Sequence, residues 1–497
     1  MKAKITLSAE KTISAIDDRL YSSFIEHMGR AIYTGIYEPE HPTADENGFR
    51  QDVADLIKPL KLSHIRYPGG NFVSGYRWED GIGDRKNRPV RRELAWFALE
   101  PNQVGTNEFA DYCSKLDISP MMAVNLGTRG PQEAADLLEY CNVSGGSYYS
   151  DLRRSHGWTE PHNIGLWCLG NEMDGPWQIC AKTAEEYART ACETAKMMKW
   201  MDPSVELVAC GSSFLSMPTF GEWERTVLRH CYEHIDYLSL HQYYTNEEQD
   251  IGSFLARSMD MDNFVKTVAG ICAEAKREHN SDKDIYLSFD EWNVWYHYRQ
   301  SGAQPEKWTV ARPIEEELYD FADALLVGSM LITLINNSDT VKIACLAQLV
   351  NVIAPIMTEP GGKAWVQTIY HPFMHTSVNG RGTALRPTIE CPTYKCAVSD
   401  HAPYIDCAAV VSDDQQTVTL FVVNKNLSEN ATLEIDINGF LSAGTVQHTS
   451  LTAPSIDSVS TADSDCVSTS VSTFEFSGSA TSMELPAASW NMITIMR

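Results

Sequence analysis

Two stretches of the sequence each run an apolar segment into a glutamate flanked by indoles. Residues 165–178 read GLWCLGNEMDGPWQ, and Glu172 stands where the apolar run ends, between Trp167 and Trp177. Residues 285–296 read IYLSFDEWNVWY, with Glu291 set between Asp290 and Trp292. Two carboxyl groups brought to one place are what glycosidic bond cleavage requires. In the retaining form one protonates the leaving oxygen and the other attacks the anomeric carbon, with roughly 5–5.5 Å between them. A partly apolar setting around Glu172 suits the acid, because it favours the protonated carboxyl. The attacking group must stay ionised and needs donors or a cation beside it. Asp290 competes with Glu291 for that role. Neighbours on a strand point to opposite faces, so only one of them is expected in a pocket, and the residues alone leave open which.

The elements that must carry these groups are short apolar runs alternating with amphipathic segments. Strands are expected at 22–25, 64–66, 121–125, 164–169, 206–210, 237–240, 285–289 and 341–346. Helices lie between them. Thr183 and Glu186 stand at capping-box spacing before a segment that runs to Met201, and Pro131 opens another as a first-turn proline. Eight strands alternating with helices imply an α/β fold, a (β/α)8 TIM barrel, with a doubly wound open sheet as the competitor. A barrel does its chemistry where strands end, and the residues at those ends are Glu26, Arg66, Asn125, Glu172, Ser212, His241, Glu291 and Gln348. Beyond about residue 375 helical periodicity gives way to alternating strands at 417–423, 431–437, 472–476 and 492–496. This reads as an all-β, jelly-roll-like sandwich. The expected organisation is residues 1–15 as an N-terminal strand pairing into the sandwich, 16–375 as the barrel and 376–497 as the sandwich.

A hydrophobic share of 43% supports a sizeable core, and a net charge of −26 argues against nucleic acid or an anionic membrane as partner. No run of 18 apolar residues spans a membrane, and the charged first ten residues do not read as a signal peptide. The 13 cysteines form no CxxC pair and read as reduced thiols of a cytoplasmic protein. Cys391, Cys396 and His401 lack a fourth ligand, so no metal site is expected.

Six motifs in order resemble glycoside hydrolase family 51, the α-L-arabinofuranosidases. They are SFIEHMGRAIYTGIYEP from Ser23, IRYPGGNFVSGYRWEDGIG from Ile65, LGNEMDGPWQ from Leu169, LSLHQYY from Leu238, DEWNVWY from Asp290 and AQLVNVIAPIM from Ala347. The resemblance implies a retaining, exo-acting enzyme with Glu172 as acid/base and Glu291 as nucleophile, and so favours Glu291 over Asp290. It implies sugar contacts from Glu26, Asn71, Asn171 and Gln348, the two glycines before Asn71 permitting close approach. Tyr243 and Arg66 would orient the nucleophile, and Trp295 would wall the pocket. Trp96 and Trp177 would stack on the leaving sugar, although LAWFALEPNQ around Trp96 departs from the family's threonine-asparagine pattern. His241 reads equally as a pocket group or a strand-end support and stays outside the catalytic set. No cofactor is implied. The implied partners are arabinose-containing oligosaccharides from xylan or arabinan and further copies of the chain, as a hexamer. The rivals are β-xylosidase or endo-β-glucanase specificity on the same scaffold, and a non-catalytic sugar-binding protein.

Overall fold

The computed structural model describes residues 1–296, 305–437 and 443–496. Eight parallel strands close a barrel: β1 (Ser22–Phe24), β2 (His64–Tyr67), β3 (Ser119–Val124), β4 (Leu166–Leu169), β5 (Glu206–Ala209), β6 (Tyr237–Tyr244), β7 (Tyr286–Val294) and β8 (Val341–Ala347). Strand order follows the chain, and β8 returns to β1 through Ala347 opposite Phe24, which excludes the open doubly wound sheet. Parallel strands are covered on both faces, so they read as unbroken apolar runs; all four residues of β4, Leu-Trp-Cys-Leu, are buried.

The helices form as their caps dictate. Thr183 and Glu186 make the expected box: the Glu186 side chain accepts from the Thr183 amide at 2.9 Å, and the Thr183 hydroxyl accepts from the Glu186 amide at 3.3 Å. The helix they start, Ala184–Met201, turns Tyr187, Ala188, Ala191, Ala195 and Met198 to the core. Pro131 is the first residue of the helix Pro131–Asn142. The helix Phe321–Asn336, FADALLVGSMLITLIN, is apolar nearly all round because it is covered on both sides. One side faces the barrel, and the other bears on the C-terminal sheet so closely that a Cβ on Gly328 would lie 2.4 Å from Trp490. The last helix, Tyr370–Asn379, carries helical structure a few residues past the change of pattern.

The C-terminal region is two sheets around their own core. The smaller is made of Thr388–Glu390, Lys2–Thr6, Ala431–Asp436 and Ala480–Leu485. The larger runs from Thr12–Ala15 through Thr383–Leu385, Ile405–Val411, Thr417–Asn424, Ser489–Met496 and Ala443–Thr452 to Ser468–Ser477. Ile5, Leu433 and Leu485 of one sheet meet Leu420, Val446 and Ile493 of the other. Both N-terminal strands therefore belong to this region: Lys2–Thr6 runs parallel to Ala431–Asp436, and Thr12–Ala15 pairs with Thr383–Leu385.

Strands β6 and β7 outreach the other barrel strands, with eight and nine residues. Their pairing shifts register between Ser239 and His241, and β7 shifts against β8 between Phe289 and Trp292. This irregularity, at the end of the barrel where chemistry is expected, re-aims the side chains around Asp290 and Glu291.

Candidate active site

At the carboxyl ends of the strands lies a cavity of about 520 Å³. Glu26, Asn71, Trp96, Glu172, Trp177, Tyr243, Glu291, Trp295 and Gln348 all line it. Arg66 and Asn171 do not; each is 1% exposed and stands behind the lining. Asn125 and Ser212 are also outside it. Asn125 closes its own turn, accepting from the amides of Gly127 and Thr128, and the Ser212 amide donates to Glu224.

Glu172 is presented by a sharp turn. Gly170 has φ +90° and Glu172 itself has φ +44°, a left-handed conformation that a side-chain-bearing residue holds only under constraint. The constraint is visible: the Gly175 amide donates to the Glu172 carbonyl at 2.8 Å, and the Trp177 indole donates to Oε2 at 2.6 Å. His241 Nδ1 lies 3.0 Å from Oε1.

Glu291 is held by charge. Arg66 donates to its Oε1 at 2.6 Å and the Tyr243 hydroxyl to its Oε2 at 2.8 Å, while His241 Nδ1 lies 3.6 Å from Oε2. Burial pushes the Glu291 carboxyl above the usual glutamate range, His241, Arg66 and Tyr243 pull it down, and the charge of Glu172 adds to the upward push. For His241 burial opposes protonation, but the carboxylates of Glu291, Asp290 and Glu172 outweigh it and raise the ring to about 10. The balance favours the imidazolium, with Nδ1 turned to both glutamates and Nε2 3.6 Å from Asp290 Oδ1, beyond hydrogen-bond distance.

Strict alternation along β7 does not hold. Asp290 and Glu291 both reach Arg66, Asp290 with Oδ2 3.1 Å from Nε. The register shift lets consecutive carboxylates turn to the same side. Only Glu291 lines the cavity; Asp290 is fully buried and accepts from Ser239 Oγ at 2.5 Å. Arg66 and His241 hold the Asp290 carboxyl below its ordinary range against the effect of burial.

The glycines before Asn71 make room for Glu26, and Gly70 also lines the cavity. A Cβ on Gly70 would lie 2.5 Å from Glu26 Oε2, so the missing side chain makes room for a carboxylate. Glu26 Oε1 accepts from the Phe72 amide at 2.8 Å and from the Trp96 indole at 3.0 Å. Burial outweighs these donors and pushes Glu26 up to about 8, with help from Glu291 and Glu93. Gln348 Oε1 accepts from the Glu26 amide at 3.0 Å. Asn171 Oδ1 accepts from Arg66 at 2.8 Å, which leaves its amide nitrogen with only long contacts, 3.5 Å, to Asn71 and Gln178.

Several contributing residues lie beyond the sequence reading. Glu93 holds the Trp96 turn by accepting from the amides of Ala95 and Trp96 at 2.5 and 2.7 Å. Phe214 stacks on Trp177 with ring centres 5.5 Å apart. Glu315 lines the cavity and accepts from the Trp295 indole at 2.6 Å. None has a motif to announce it: Glu93 ends a short charged strand, Arg91–Glu93, Glu315 sits in a charged loop, and Phe214 follows two serines.

Among the described residues, the one group of His, Cys, Asp and Glu tight enough to share a metal is Glu172, His241 and Glu291, whose ligand atoms lie within 4.8 Å of one another. The same spacing puts a Glu172 oxygen near the distance at which two carboxyls flank a glycosidic bond with retention, well under the roughly 6.5–9.5 Å of inversion. All 13 cysteines are free thiols.

Comparison with known proteins agrees over almost the whole chain. A model of the alpha-L-arabinofuranosidase 1 domain matches residues 56–263, and a model of the alpha-L-arabinofuranosidase C-terminal domain matches residues 290–489. The chain is 58% identical over 447 residues to intracellular exo-alpha-(1->5)-L-arabinofuranosidase 1 of Bacillus subtilis, covering 90% of this chain and 89% of that one. It is 52% identical over 501 residues to the intracellular exo-alpha-(1->5)-L-arabinofuranosidase of Acetivibrio thermocellus, covering 99% of each. The solved structure of a family 51 alpha-L-arabinofuranosidase from Bifidobacterium longum superposes with a TM-score of 0.93 at 43% identity, covering 99% of both chains.

Proposed function

The chain belongs to glycoside hydrolase family 51, the α-L-arabinofuranosidases, and from that premise we propose how its side chains divide the work of a retaining, exo-acting hydrolysis. Glu291 attacks C1 of a terminal arabinofuranosyl unit while Glu172 gives its proton to the departing oxygen. The C1–oxygen bond breaks as the Glu291–C1 ester forms. Glu172, now a carboxylate, takes a proton from water, whose oxygen displaces Glu291. Two inversions give net retention.

The observation that carries this reading is the geometry of the pair: oxygens of Glu172 and Glu291 within 4.8 Å, at one mouth of the barrel. Their partners differ as the two tasks require. Glu291 takes a guanidinium and a phenol, donors that favour a carboxylate. Glu172 is oriented by an indole and an imidazole, and Trp177 with Phe214 offers an aromatic face beside it for the leaving sugar. Glu26, Asn71 and Gln348 supply polar groups for the furanose hydroxyls. We assign linkage preference to α-(1→5) arabino-oligosaccharides, following the names of the two relatives above, and location to the cytoplasm, since both are called intracellular. Family resemblance extends to a homo-oligomer, expected as a hexamer, which light scattering tests.

A panel of aryl glycosides with methanol as acceptor tests the reading. Cleavage of the α-L-arabinofuranoside with transfer to methyl α-L-arabinofuranoside is the expected result. A methyl product of β configuration overturns retention, and cleavage of the β-xyloside alone overturns the substrate.

A further inference from the structure

Among the described residues four glutamate carboxyl groups line the cavity, those of Glu26, Glu172, Glu291 and Glu315, and no lysine, arginine or histidine does. Three of them have a place in the reading above. Glu315 comes from the loop after β7 and from none of the recognised motifs.

Its placement is held on several sides. The backbone is left-handed at φ +56°, and the Glu315 carbonyl accepts from the amides of Ile353 at 2.8 Å and Glu317 at 3.0 Å. The Trp295 indole fixes Oε2 at 2.6 Å. Trp295 in turn meets Tyr243 edge-on, with centres 5.0 Å apart, and Tyr243 donates to Glu291. Among the described residues no donor reaches the other oxygen, Oε1. Arg312, the nearby cation, directs its hydrogen bonds to the carbonyls of Pro305 and Trp96. Glu315 is half-buried at the cavity wall, so a sugar that fills the cavity shields its carboxylate from solvent. The carboxylate then needs a donor, and a neutral sugar offers only hydroxyls.

We propose that Glu315 accepts a hydrogen bond from a hydroxyl of the terminal arabinofuranosyl unit, and so helps decide which sugar the pocket takes. Glu315, Trp295, Gln348 and Ile353 follow β7 and β8, whereas Glu172, Trp177 and Phe214 follow β4 and β5, where the leaving group departs. The hydroxyl is therefore on the sugar being released, on the side away from the scissile bond. A site built to hydrogen-bond a hydroxyl rejects the analogue that lacks it, because a buried polar group is then left unpaired. A sugar with a carboxylate at that position is excluded by like charge.

This inference rests on the arabinofuranosidase reading, so its test uses the parent substrate as internal control. kcat/KM is measured for the wild type and Glu315→Ala on an aryl α-L-arabinofuranoside and on its 2-, 3- and 5-deoxy analogues. The expected result is a loss of roughly 10- to 100-fold on the parent that shrinks to within about threefold on one of the deoxy analogues. An equal loss on all four substrates overturns the proposal, since it marks Glu315 as a prop for Trp295. So does no loss on the parent. Glu315→Gln, which keeps an acceptor for the indole, is run across the same four substrates and supplies the same contrast where the alanine variant fails to fold. A wild type inactive on the parent instead refutes the reading on which the inference rests.

Discussion

Arg66 is where charge and catalysis are tied together most tightly, and replacing it with methionine has a result that can be worked out. The guanidinium is 1% exposed, donates to Glu291 at 2.6 Å and to Asn171 at 2.8 Å, and sits 3.1 Å from Asp290. Methionine fills much of the volume but leaves two adjacent buried carboxylates with His241 as the remaining close cation among the described residues. Removing one partner of a buried ion pair costs about 3–5 kcal/mol of stability. Losing a charge-assisted hydrogen bond on the attacking oxygen costs about 1.5–3 kcal/mol, which is roughly 10- to 150-fold in rate where the bond is worth more in the transition state. The pH dependence has a definite sign. Burial already holds Glu291 high and Arg66 pulls it down, so the variant's carboxyl rises further. The nucleophile must be ionised, so the acid limb of kcat/KM moves to higher pH and the deficit is larger at pH 5 than at pH 8. Arg66→Lys keeps the charge but loses the fork that donates to Glu291 and Asn171 at once, and falls between. The assay is kcat/KM on an aryl α-L-arabinofuranoside across pH, beside a thermal inactivation curve. A folded Arg66→Met enzyme with kcat/KM within about threefold of wild type and an unmoved acid limb would falsify the reasoning.

Azide separates the two glutamates. Glu291→Ala should lose at least about 10⁴-fold in kcat and form the inverted β-arabinosyl azide, while Glu172→Ala should form the retained α-azide and suffer most on substrates with poor leaving groups. The same azide product from both variants refutes the assignment of roles. Glu26→Gln should gain stability relative to wild type as pH rises. Below the unfolded value of 4.5 both states are protonated and no difference is expected; between there and about 8 the unfolded chain ionises while buried Glu26 stays neutral, so wild-type stability is lost progressively. The ratio of thermal-inactivation half-lives at pH 5 and pH 8.5 measures this, and a flat ratio shows that Glu26 is already ionised at pH 5.

The barrel was legible because parallel strands buried on both faces leave a plain mark, an unbroken apolar run. Where the mark fails, function is the reason. The runs read at 237–240 and 285–289 stop short of the real ends, Tyr244 and Val294, because the continuations carry His241, Gln242, Tyr243, Asp290, Glu291 and Asn293. Polar side chains that break the apolar run are the same ones that build the site. The register shift near Asp290 leaves no trace in composition; alternation admits one of the two carboxylates to the pocket, and Glu291 is the one that lines it, but it does not show that both reach Arg66. In the sandwich, Ala443–Thr452 and Ser468–Ser477 pair along their whole length, yet their serines and threonines obscure the period of two; eight of the ten residues of the second are exposed. Glu315 was invisible for a simpler reason: in a run of three glutamates, nothing in the sequence tells which one the loop turns inward.

The placement of His241 explains how one site can serve both halves of the proposed cycle. Before reaction the negative charge is on Glu291 and the proton is on Glu172. Once the ester forms and the leaving group takes the proton, Glu291 is neutral and Glu172 carries the charge. The net charge of the pair is unchanged; it has moved by a few ångströms. A cation fixed to Glu291 alone would oppose that movement, because every step of charge away from Arg66 costs Coulomb energy. His241 Nδ1 stands 3.6 Å from Glu291 Oε2 and 3.0 Å from Glu172 Oε1, so the imidazolium is adjacent to the charge at both ends of its path. Asp290, whose carboxyl is held below its ordinary range, lies 3.6 Å from the other ring nitrogen and adds to the charges that favour the imidazolium. In the proposed cycle Arg66 fixes where the attack begins, and His241 lowers the cost of moving the charge across. That difference is why the loss of Arg66 should appear in the acid limb of the pH profile, whereas a neutral residue at position 241 should slow both formation and hydrolysis of the ester.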